Sequence, residues 1–94
     1  MYLIVIEALS DLGGAMPPPI YFHQPYRLAA TVDEAAELMR DYMQHHHERD
    51  GDLIPKYFAV YKEMDGRFGF GRYFDPQTLA EVDATEWLAD TGRC

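Results

Sequence analysis

The chain opens on YLIVIEAL, Tyr2 to Leu9, a nearly unbroken apolar run with several β-branched members and one charge, Glu7. A run this short and this apolar suits a buried strand better than a helix. SDLGGAMPPP follows and is rich in breakers. Gly13 and Gly14 tolerate positive φ, and Pro17 to Pro19 favour extended polyproline backbone. At about ten residues this connection exceeds the usual length of about 4–6. IYFHQPYRLAA then returns to extended structure. Pro25 has no N–H for a ladder, which puts this strand at a sheet edge or breaks it there.

The next pattern is helical. Val32, Ala35, Ala36, Met39, Tyr42, Met43 and His46 recur at three- and four-residue steps and form one apolar stripe. Thr31 and Glu34 have the spacing of a capping box, and Asp33 and Glu34 sit where the helix dipole favours acids. Gly51 is the expected terminator.

From Lys56 to Phe74 the pattern becomes a hairpin about Asp65-Gly66. A two-residue turn there pairs Met64 with Arg67, Lys62 with Gly69 and Tyr61 with Phe70. Strict alternation then puts Tyr57, Ala59, Tyr61, Phe68, Phe70 and Phe74 on one face. Phe58, Val60, Lys62, Met64, Arg67 and Tyr73 fall on the other. After the hairpin, Asp75 and Pro76 read as an N-cap and first helical residue, with a further cap at Asp83 and Glu86 ahead of Trp87. This predicts one bent helix or two short ones.

The order strand, strand, helix, strand, strand, helix predicts a single α+β domain over residues 1–94. Its expected form is a mostly antiparallel four-stranded sheet, ββαββα, with two helices packed on one face. Hydrophobic residues make up 48% and charged residues 26% of the 94, which suits a globular domain. Cys94 is the lone cysteine, so no internal disulfide is available. The start lacks a basic n-region and no apolar run is long enough for a membrane span, so a cytoplasmic protein without membrane contact is expected.

Charge changes the picture. The net charge is −8, and residues 31–50 alone contribute −4, while residues 51–75 balance four acids against four bases. The acids lie on the segments read as helices, an unfavourable layout for direct contact with nucleic-acid phosphates.

The alternating FGFG within DGRFGFGRYF invites comparison with the base-stacking strand of RNA-recognition motifs. Arg67 is followed directly by Phe68 where that signature wants glycine, and Gly71 replaces its valine. Aromatic filling of a half-buried strand explains the pattern better. His45, His46 and His47 are consecutive, about 100° apart on a helix, and cannot converge on one ion. Glu37, Asp41 and His45 share a row but lack the paired histidines of helical zinc sites. Ser10 is the single serine, with His23 as a distant conceivable partner and no further support for nucleophilic catalysis. No catalytic group, cofactor or metal site is therefore assigned.

These observations predict a small acidic, non-catalytic protein that occupies the surface of another protein or complex, including one that itself binds nucleic acid. Glu34, Glu37, Asp41 and Glu48 on the helix, and Phe58, Lys62, Met64, Arg67 and Tyr73 on the hairpin's outer face, are the expected contacts. Phage inhibitors of the anti-CRISPR kind work in this manner, an analogy of class and not of residues. The alternative is a small structural subunit or homodimer joined through the outer face of the 57–74 hairpin. A metal-dependent or RNA-binding domain ranks third.

Overall fold

The computed structural model describes residues 1–10, 21–50 and 53–91, apart from the side chains of residues 47–50 and 70. The elements are β1 (Tyr2–Ser10), β2 (Tyr21–Ala29), α1 (Val32–Asp50), β3 (Leu53–Met64), β4 (Arg67–Phe74), β5 (Glu81–Val82) and α2 (Thr85–Asp90). The strands form one sheet in the order β2-β1-β3-β4-β5, and every described pairing is antiparallel. The α+β class holds. The expected four-stranded sheet does not, because the described residues contain five strands.

β1 lies inside the sheet, which explains its continuous apolar sequence. Ile4, Val5, Ile6, Glu7 and Ala8 are all buried, so both faces of this strand are covered. β2 is an edge strand, as Pro25 requires, and its register against β1 slips beside that proline, leaving Tyr26 as the extra residue.

The additional strand comes from the segment read as a helix. Asp75 accepts hydrogen bonds from the backbone N–H groups of Gln77 (2.7 Å) and Thr78 (3.1 Å), as an N-cap would. Only one turn follows. Leu79 takes φ 60°, and the N–H of Asp75 bonds to the carbonyl of Ala80 at 2.9 Å, which closes a loop. β5 then pairs with Tyr73 and Phe74. An aspartate cap stabilises a lone turn as well as a helix, so the local signal was ambiguous. The second signal falls just ahead of α2 but is not its cap: the N-cap is Ala84, without a side-chain cap bond, and Asp83 accepts from both the N–H and the hydroxyl of Thr85.

α1 begins at the predicted capping box. Glu34 N–H donates to Thr31 Oγ1 and Ala30 N–H donates to Glu34 Oε2, each at 3.1 Å. Gly51 lies outside the described residues. Ala35, Met39, Tyr42 and His46 bury one stripe of the helix. Tyr42 sits edge-on to Tyr26 and to Phe58, with ring centres 5.2 and 5.9 Å away. Ile4, Ile6, Ala8, Ala29 and Phe58 complete this core.

The two helices do not share a face of the sheet. Trp87 of α2 packs against Tyr21 and Tyr57, with ring centres at 5.3 and 5.6 Å. Tyr21 pairs with Leu9, and Tyr57 with Glu7, residues that point away from the Ile4, Ile6 and Ala8 face under α1. The sheet is therefore sandwiched between a long helix and a short one. Alternation makes this necessary, since Val5, Glu7 and Ala59 on the second face are also buried.

The Asp65-Gly66 turn forms as expected, with φ of 53° and 79° at its central residues. The register holds only for the first pairs, Met64 with Arg67 and Glu63 with Phe68, and then shifts so that Tyr61 meets Gly71. Gly69 and Phe70 together oppose Lys62, a β-bulge in β4. One extra residue exchanges the faces of everything beyond it. Phe74 therefore joins Phe58 and Val60 on the α1 side of the sheet, and Tyr73 joins Ala59 and Tyr57 on the α2 side.

Candidate functional site

α1 lies over β1, β2 and Phe58 of β3, and among the described residues the rest of the β3–β4 half of the same face stays open. The result is a groove of about 560 Å³ between helix and hairpin. Val32, Ala35, Ala36 and Met39 form its helix wall, and Val60, Met64 and Phe74 supply the apolar part of its sheet wall. Val32 and Met64, one on each lip, are 63% and 62% exposed.

The groove's charged lining residues are cationic. Lys62 and Arg72 line it, and Arg67 stands beside Met64 through its strand pairing. Three of the chain's eight lysines and arginines thus gather on one lip of an acidic protein. Arg72 also approaches Glu81 at 3.7 Å, with both side chains largely in solvent. Leu79 also lines it while held at φ 60°, a conformation leucine rarely adopts. Strained backbone of this kind persists only where surrounding structure enforces it, and it concentrates at functional sites.

The predicted contact residues separate into distinct groups. Lys62, Met64 and Arg67 are exposed at or beside the groove. Phe58 is completely buried under α1, so its expected place on an exposed outer face is corrected. Tyr73 lies half-buried on the α2 side, its ring 6.3 Å from Tyr57 and its hydroxyl 3.4 Å from that of Tyr61. Glu34 is engaged in the helix cap, Glu37 is exposed, and Asp41 lies 3.7 Å from His45 one turn along. The side chain of Glu48 is outside the described residues. His46 turns inward, stacks on Tyr42 and places Nδ1 3.2 Å from the Met43 carbonyl, whereas His45 is exposed beside Asp41. No group of three or more His, Cys, Asp or Glu converges among the described residues.

Three features escaped the sequence reading. The first is the groove itself. The second is Leu79, whose conformation no residue type announces. The third is Glu7, fully buried and hydrogen-bonded to Nδ1 of His23 across the β1–β2 pair. A single acid inside YLIVIEAL was its only sequence signal. Ser10 and His23 fall on opposite faces of the sheet, so that conceivable catalytic pair does not form.

No helix among the described residues is long and apolar enough to cross a membrane. Compared with known protein families, curated proteins and solved structures, the chain matches none.

Proposed function

We propose that the chain is a small non-catalytic binding protein that occupies a partner protein's surface through the groove between α1 and the hairpin. The observation that carries this reading is the concentration of Lys62, Arg67 and Arg72 along an open apolar groove of about 560 Å³ in a chain of net charge −8. An apolar concavity with a few charges at its rim is how proteins accept an amphipathic segment with opposite charge. No Asp, Glu or His is among the described residues that line the groove beside these flexible cations, which favours binding over chemistry.

The test is a photo-crosslinking side chain placed at Met64 in one variant and at Glu86 in another. Glu86 is exposed on α2, on the other side of the sheet. Protein adducts from Met64 and not from Glu86 are expected. Equal adducts from both sites, or none from Met64, would remove the groove as the docking surface.

A second reading keeps the acidic face of α1 as a surface for a basic partner. Its support is the row Asp33, Glu37 and Asp41 at four-residue spacing. Like charges so placed destabilise an isolated helix by about 0.2–0.5 kcal/mol per pair, a cost that a cationic partner would relieve. Steep loss of affinity with salt distinguishes this reading, provided that Glu37→Lys weakens binding and Met64→Glu does not.

A further inference from the structure

We infer that the groove is filled by the α1 helix of a second copy of this chain, making a two-fold symmetric dimer in which two α1 helices lie side by side between two sheets. The inference rests on the reading of the groove as a protein-docking surface and names the partner.

Width is the first argument. Five strands spaced about 4.8 Å apart present a face roughly 20 Å across, whereas one helix with its side chains covers about 10 Å. α1 covers the β1–β2 half, and α2 packs on the reverse face. The open β3–β4 half therefore has the width of one more helix. Ala36 on the helix wall, small and only half-buried, allows a second helix to approach closely.

Reciprocity is the second argument. A two-fold interface places each lip of the groove against the opposite lip of the other copy. The sheet lip carries exposed Met64 with Lys62, Arg67 and Arg72. The helix lip carries exposed Val32 with Asp33 and Glu37 on its solvent flank. Arg40, exposed directly after the groove-lining Met39, lies on the same flank, so that the three charges there sum to −1. Each lip thus supplies an apolar residue and the charge that the other lacks, which is what self-association through one patch demands. Leu79, held in its strained conformation in the groove lining, adds a further apolar side chain to the surface that the incoming helix meets. A standard interface needs about 800 Å² from each partner, roughly an eighth of this chain's 6365 Å² surface.

The experiment measures the mass of the full 94-residue chain by sedimentation at micromolar concentration. Twice 10.8 kDa is expected. Lys62→Glu with Arg67→Glu gives a chain whose two lips are both acidic, and Asp33→Lys with Glu37→Lys gives one whose two lips are both basic. Each is expected to dimerise at least about tenfold more weakly alone, with unchanged circular dichroism, and the two mixed are expected to form a heterodimer. A dimer indifferent to both reversals overturns the inference, as does a wild-type chain that stays monomeric. If that monomer still crosslinks a different protein through Met64, the dimer falls while the groove remains a docking surface. If it crosslinks nothing, both readings fall.

Discussion

Glu7 and His23 form a hydrogen-bonded pair across β1 and β2, with Glu7 fully enclosed and the His23 side chain 36% exposed. The carboxylate is held within a strand that is otherwise apolar, beside Tyr57 and beneath the helix that carries Trp87. Removing the histidine leaves a buried acid without this partner. His23→Ala should therefore lower the unfolding free energy by about 1–3 kcal/mol in urea titrations. Glu7→Leu, which removes the buried charge and restores the apolar run, should cost less or stabilise the fold. The reverse ranking would show that the carboxylate, and not its enclosure, is what the sheet requires.

Next to the hairpin bulge, a ring closes over a glycine. A Cβ at Gly71 would stand 2.7 Å from Cε1 of Tyr61, whereas one at Gly69 would meet nothing nearer than the Lys62 carbonyl at 3.8 Å. Gly71→Ala should cost about 1–3 kcal/mol through this crowding, and Gly69→Ala well under about 1 kcal/mol. With Tyr61→Ala already present, the Gly71→Ala penalty should shrink, and a double-mutant cycle measures that coupling.

Leu79 separates stability from binding. Glycine at this position accepts φ 60° without strain, so Leu79→Gly should leave stability within about 1 kcal/mol of the wild type as strain relief offsets the lost side chain. Self-association should nevertheless weaken, because the side chain lines the groove. Unchanged dimer affinity in this variant would exclude Leu79 from the interface.

Asp83 gives α2 a pH dependence. Its side-chain and backbone hydrogen bonds from Thr85 hold its pKa below the ordinary 3.8. A lowered folded-state pKa means that the stabilisation is present above the unfolded value and is lost as pH falls through the folded one. The stability difference between wild type and Asp83→Asn, followed by Trp87 fluorescence, should be constant near neutrality and close as pH drops below 3.8. A difference that persists at lower pH would point to the loop backbone and not to the carboxylate.

Local chemistry was legible in the sequence wherever a residue acts on its near neighbours. Thr31 and Glu34 cap α1 through bonds spanning three and four residues. Pro25 keeps β2 at the edge because it lacks an N–H, and Asp65-Gly66 supplies the positive φ that the turn needs. The apolar run of β1 identified a strand buried on both faces. None of these required knowledge of what lies across the fold.

The rest was decided between elements distant in sequence. Asp75 supports a single turn or a helix with the same side-chain bonds, and the choice was settled by Leu79 and by the pairing of β5 with β4. The bulge at Gly69 and Phe70 adds one residue to β4, and that one residue moves Phe74 to the α1 side of the sheet and Tyr73 to the α2 side. Phe58 was legible as apolar but not as core, since its surroundings depend on which face of the sheet α1 selects. The groove follows from the same choice. Its lining comes from α1, β1, β3, β4 and the turn before β5, each with its own pattern. Only their packing leaves half of a sheet face open, because one helix is too narrow to cover it.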